Sequence, residues 1–178
     1  MNKILIGLLI VISGFGYFMF AGANVQKENN DYLRIHIRAN SNTVIDQDIK
    51  YEIKEELVKN LYSIVASSSS KEDLMLNISL KLDSLTQVAN NCLHKANLNY
   101  TAKVSLKQEK FPTRVYNSNL TLESGVYDAL IVELGEAAGD NWWCVIYPPL
   151  CFMNVNYNGS QKVTFKSRIK EMIENFFN

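Results

Sequence analysis

The stretch Asn141-Trp142-Trp143-Cys144-Val145-Ile146-Tyr147-Pro148-Pro149-Leu150-Cys151-Phe152 constrains this chain more than any other. It holds both tryptophans, two of the three cysteines and two of the three prolines. A buried Trp or Tyr brings a large apolar area and needs a partner for its N–H or O–H. Trp142 to Tyr147 has the length and residue types of a strand. Pro148-Pro149 must end it, because neither proline donates to a ladder and each forces extended geometry on the residue before it. The segment is predicted to be a buried strand running into a rigid turn, with a cysteine at each end. A reversal at Tyr147-Pro148 would bring Cys144 and Cys151 within bridging distance, and an aromatic–proline bond in such a turn can be cis. The alternative is two buried free thiols acting as small hydrophobes. Cys92 has no obvious mate.

The N-terminus sets the compartment. Lys3 precedes an apolar run from Ile4 to Phe20, broken only by three glycines and one serine, and no further charge appears before Lys27. Ala21-Gly22-Ala23 has the small-x-small form of a signal-peptidase site. Residues 1–23 therefore read as a signal peptide or a membrane anchor. The glycines and the Ala-x-Ala favour cleavage; the length would also suit a span. Either way the rest of the chain lies outside the cytoplasm, where a disulfide is admissible. Residues 24–31 read as a polar linker, and 32–178 as a single domain.

Tyr32 to Ala39 alternates: Leu33, Ile35, Ile37 and Ala39 on one face, Arg34, His36, Arg38 and Asn40 on the other. That pattern predicts a half-buried strand with a basic outer face. Thr43 can cap a helix, with Asp46 three residues on. Ile45, Ile49, Ile53, Leu57, Leu61 and Ile64 then recur at helical spacing to about Ala66. Ser67 to Ser70 breaks the pattern, and Ser70 with Asp73 begins a second helix running to about Asn97. Tyr100 to Lys107 alternates as a strand, and Phe111 to Tyr116 is extended. Asn117 to Gly125 is loop. Val126 to Leu134 is apolar enough for a central strand. Gly135 to Asp140 would join it to the Trp-Trp strand as a hairpin. Thr164 to Phe177 has helical spacing. The expected fold is α+β: a mostly antiparallel sheet with a two-helix hairpin packed on one face, plus a C-terminal helix.

Two blocks carry a resemblance. The Asn141–Phe152 segment resembles the signature of the stage II sporulation protein R family. Leu33 to Asn42, followed by Asp46-Gln47-Asp48-Ile49-Lys50, is similar to the family's other block. Phe111-Pro112-Thr113 and Leu122 to Leu130 resemble the pieces between, so the likeness runs from about Leu33 to Phe152. The loop Gly135 to Gly139 has fewer glycines than the family pattern, and Leu122 to Gly125 lacks a proline. The resemblance implies a signalling protein rather than an enzyme. It would be exported from the forespore of an endospore-forming bacterium into the space between forespore and mother-cell membranes. There it would activate a membrane-embedded aspartic protease of the mother cell, which processes a sporulation sigma-factor precursor.

Independent of that likeness, the residues offer little catalysis. Two histidines and three scattered cysteines match no zinc spacing, and no nucleophile elbow, zincin motif or P-loop occurs. No cofactor is expected. Lys and Arg balance Asp and Glu at 18 each, which gives no global electrostatic reason to bind nucleic acid. No small-molecule substrate is expected, and the membrane is met only through the N-terminal segment. Two competing functions are an exported thiol-dependent hydrolase using Cys144 or Cys151 with His36, and a structural envelope protein. The residues proposed to bind a partner are Arg34, His36, Arg38, Asn40, Asp46, Gln47 and Lys50, with Trp142 and Trp143. The first seven, with Ser41, read either as a docking surface or as a network that fixes the strand-to-helix turn.

Overall fold

The alternating strand near the start of the domain is buried on both faces. In the computed structural model, which describes residues 28–116 and 120–152, this strand is β1 (Glu28–Arg38). It starts four residues before Tyr32. The sheet order is β2-β5-β1-β6, from β2 (Ala102–Phe111), β5 (Gly125–Leu134) and β6 (Asn141–Tyr147). The sheet is mixed. β1 runs parallel to β5, while β1–β6 and β2–β5 are antiparallel.

The expected hairpin between β5 and β6 does not form, because β1 lies between them. Burial explains this. Leu33 to Ile37 are all buried, as are Ala129 to Val132 of β5, so both strands need neighbours on both sides and cover on both faces. β6 retains half-buried side chains and takes the edge.

Helices cover one face. Helix α1 (Val44–Ser67) is capped by Thr43, whose hydroxyl accepts from the Asp46 N–H at 3.3 Å. Ile49, Ile53, Leu57, Leu61 and Val65 face the sheet, whereas Ile45 is 62% exposed. The apolar stripe thus starts one turn later than its spacing suggests. Asp46 and Lys50 take the inward positions of the first turns.

The expected second helix is two: α2 (Lys71–Ser79), capped by Ser70, and α3 (Leu82–Lys95). The Ser79 hydroxyl donates back to the Leu76 carbonyl at 2.7 Å, and the Lys81 N–H to Ile78 at 2.9 Å. These bonds close α2 with a turn at Leu80-Lys81 before α3 begins, a break that apolar spacing does not register. Just past the end of α3, Asn97 has a φ of +55°. Asparagine tolerates that conformation, and the Leu98 N–H closes the helix on Leu93.

A short antiparallel ribbon of β3 (Arg114–Tyr116) and β4 (Leu120–Leu122) lies against the opposite face. There Phe111, Leu122, Tyr127, Ala129, Ile131 and Val145 form a second, smaller core. Among the described residues no helix is long and apolar enough to cross a membrane. The N-terminal segment and the expected C-terminal helix lie outside the described residues.

Leu57 is fully buried in the helix–sheet core. Leu57→Ala should cost about 2–5 kcal/mol, read as a lower denaturant midpoint with an unchanged m-value.

Candidate partner-binding site

The basic face of β1 points into the second core rather than to solvent. Arg34 is fully buried. Its guanidinium lies 4.0 Å from the Phe111 ring centroid and 4.7 Å from that of Tyr127. Its Nη2 donates to the Tyr116 hydroxyl at 2.6 Å. Burial lowers the Arg34 pKa, and the nearby tyrosines oppose that shift. Cation–π contact provides much of what an ion pair would otherwise supply.

His36, two residues on, stacks on Trp143 with centroids 5.2 Å apart. Its Nδ1 lies 2.8 Å from Glu109 Oε1, which also accepts from Arg38 Nη2 at 2.5 Å. With Glu109 ionised, Nδ1 carries the proton. Arg38 Nη1 donates to Glu133 at 2.8 Å. Arg114 of the ribbon stacks over the outer side of this layer, 3.9 Å from the Trp143 centroid. Arg34 and His36 are therefore closed off from the surface, whereas the Arg38 side chain is about 25% exposed.

The other half of the predicted cluster is a network around the turn after β1. Asp46 accepts from Asn40 at 2.9 Å, Ser41 at 2.5 Å and Tyr100 at 2.5 Å. Gln47 donates to the Ser41 carbonyl at 2.9 Å, and Lys50 donates to Gln47 at 2.6 Å and to the Asp140 carbonyl at 3.0 Å. Asn40 Oδ1 accepts from the Glu136 N–H at 2.9 Å, tying the β5–β6 connection to the same turn. Tyr100, Glu136 and Asp140 were not among the residues expected here. Their positions in the sequence carry no signal, since they lie 54 to 98 residues from their partners. Gly139 explains one glycine of this loop: a Cβ there would sit 2.2 Å from the Ser41 carbonyl oxygen.

The two tryptophans split between faces, as adjacent strand residues must. Trp142 packs on the helix side, with the Lys54 ammonium 5.7 Å from its ring. Trp143 belongs to the ribbon side. Both remain half-buried. Tyr147–Pro148 is cis, and Cys144 is bonded to Cys151 with Cα atoms 6.1 Å apart. Both cysteines pack against the helix-side core, while His36 faces the ribbon side. A thiol–imidazole pair between them is excluded by the sheet itself. Cys92 is buried, and that burial raises its thiol pKa. No group of three or more metal-ligating side chains occurs among the described residues.

Acid should loosen both halves of the site. Burial holds the His36 pKa below its ordinary value, with Glu109 only partly offsetting it. Burial would raise Glu109 and Asp46, but hydrogen bonds from His36 and Ser41 respectively, and the Arg38 charge beside Glu109, outweigh it and lower both. All three groups bind protons more readily when unfolded, so their stabilisation is complete above the unfolded values and lost as pH falls. Melting temperature should drop from about pH 6.5 downward through His36, then further below about pH 4 through the carboxylates. His36→Gln should flatten the first fall; an unchanged profile would refute the assignment. Gly139→Ala should cost about 1–3 kcal/mol in the same melts.

The geometry can be set beside known proteins. A family model described as stage II sporulation protein R matches residues 29–157. Stage II sporulation protein R of Bacillus subtilis (strain 168) is 34% identical over 122 residues, covering 68% of this chain and 54% of that protein. The chain thus spans about half the length of that relative. No solved structure matches. The family match takes in every described strand and helix except the first residue of β1, and on that extent the chain belongs to the stage II sporulation protein R family.

Proposed function

We propose that this domain is an exported sporulation signal that works by docking on another protein. Leaving the forespore through its N-terminal segment, it activates a membrane-embedded aspartic protease of the mother cell in the space between the two membranes. The protease then processes a sporulation sigma-factor precursor. The observation that carries this reading is the family match over residues 29–157. The apolar N-terminal run with Ala21-Gly22-Ala23 supports export. The placement of Cys144 and Cys151 on the face opposite His36 removes the specific hydrolase pairing that competed with it. Of the residues expected to meet a partner, Arg38, Asn40, Gln47, Trp142 and Trp143 keep partial exposure, whereas Arg34, His36, Asp46 and Lys50 support them from beneath.

Co-expression in a non-sporulating host tests the reading. The exported chain, the protease and the precursor are produced together, and precursor cleavage is followed by blot. Cleavage only when this chain is present is the expected result. Its absence, with the domain exported and folded and both partners made, would overturn the proposal. The double variant Cys144→Ser/Cys151→Ser should lose about 2–3 kcal/mol of stability, as expected for closing so short a loop. It should still trigger cleavage below its melting temperature. A folded variant that no longer triggers would revive a role for the sulfurs in the chemistry.

A further inference from the structure

Among the described residues, the sheet has an outer strand with one main-chain edge unpaired and several lysines exposed. β2 pairs with β5 on one side only. The Gly135 N–H donates to the Thr101 carbonyl at 3.0 Å, so alternate residues from Thr101 onward bond inward to β5. Ala102 accordingly turns outward, and its N–H is taken by Asn90 of α3 at 2.7 Å. By the same alternation Val104, Leu106, Gln108 and Lys110 aim N–H and C=O away from the sheet. Among the described residues nothing pairs with this edge, and Lys107, Gln108 and Lys110 are exposed along it.

Charge accompanies this edge. Lys103, Lys107 and Lys110 lie on β2, with Arg114 just beyond it and Arg38 two strands inward. The nearby carboxylates are already engaged. Glu109 holds His36 and Arg38, and Glu133 holds Arg38. Lys107 reaches them only at 3.7 and 3.9 Å and is 42% exposed at its side chain. A chain with no net charge therefore carries a local positive excess along one strand edge.

We propose that the free edge of β2, from about Val104 to Lys110, binds an extended acidic segment of a protein partner by adding it as a fifth strand. A strand supplies both the acceptors and the donors that such an edge requires, and its carboxylates meet the lysines. A nucleic-acid backbone would supply acceptors alone. Lysines on an edge strand also discourage pairing between copies, and the test separates that role from docking. The inference rests on the reading that the domain acts by docking, and it names the edge used.

The full chain, labelled with nitrogen-15, is titrated with a peptide of about ten residues alternating glutamate with valine. A second peptide carries lysine in place of glutamate. With the acidic peptide, exchange of the Leu106, Gln108 and Lys110 amides should slow at least about tenfold, as ladder bonds form. Affinity should fall roughly tenfold on moving from low to physiological salt. The lysine peptide should not bind. Gln108→Pro removes an outward N–H without breaking a bond to β5, and should abolish binding with little change in melting temperature. If that variant unfolds, Lys103→Gln/Lys107→Gln/Lys110→Gln answers the charge half, with at least about a tenfold loss of affinity expected. Four outcomes would overturn the proposal: no slowing at saturating peptide, slowing on β6 instead, equal binding of the lysine peptide, or lysine substitutions that cause aggregation without weakening peptide binding. No protease is present, so a failed cleavage assay leaves this edge standing, and a failed titration leaves the trigger reading intact.

Discussion

A cationic strand buried on both faces is the constraint on which this domain depends. Arg34 and His36 alternate with Leu33, Ile35 and Ile37, and all five are under cover. An unpaired charge in such a place is expensive, so the surroundings must be specific. Phe111, Tyr116 and Tyr127 supply ring faces and one hydroxyl for Arg34; Glu109 and Trp143 hold His36. A slip of one residue would turn the guanidinium into the helix-side core, away from those rings, and would set the isoleucines against the ribbon side. The basic face therefore pins the register of β1, and through it the places of β5 and β6. The ribbon follows from the same need, because Tyr116 and Arg114 complete the layer from above.

The second requirement lies at the end of β1. Asp46 gathers three side-chain donors, and Lys50 and Asn40 reach across to the β5–β6 connection. One buried carboxylate thus joins the strand, the helix and a distant loop. Each donor compensates the loss of water around it, whereas a partial set would leave a costly buried charge. The close approach of Gly139 to Ser41 follows from drawing that loop in so tightly.

These features suit a protein that acts by contact. Rigid strands carry the half-buried tryptophans, and the Cys144–Cys151 bond joins the edge strand to the turn after it. The turn ends on Phe152, which is buried and packs against Tyr62 of α1. Aromatic groups held this way lose little further freedom when a partner arrives. Of the cluster read from the sequence as either docking surface or local network, the local network is what the hydrogen bonds display: Arg34 and Asp46 support the frame, while Arg38 keeps partial exposure.

Much of this was legible in the chain. Helical spacing, the Thr43 and Ser70 caps and the proline stop after Tyr147 depend on neighbours a few residues apart, so local chemistry specifies them. The family likeness was readable for the same reason, because it resides in contiguous blocks. Local pattern could not reveal that the polar face of β1 is inside, since alternation reports two faces and not what covers each. Nor could it show that β1 separates β5 from β6, that the second helix divides at Leu80-Lys81, or that Tyr100 and Glu109 find partners far along the chain. Burial and strand order emerge only when distant segments meet. Sequence alone determined the first helix, the caps, most strands and the family; the tertiary structure decided which charges are buried and in what order the strands pair, because only packing fixes what excludes water.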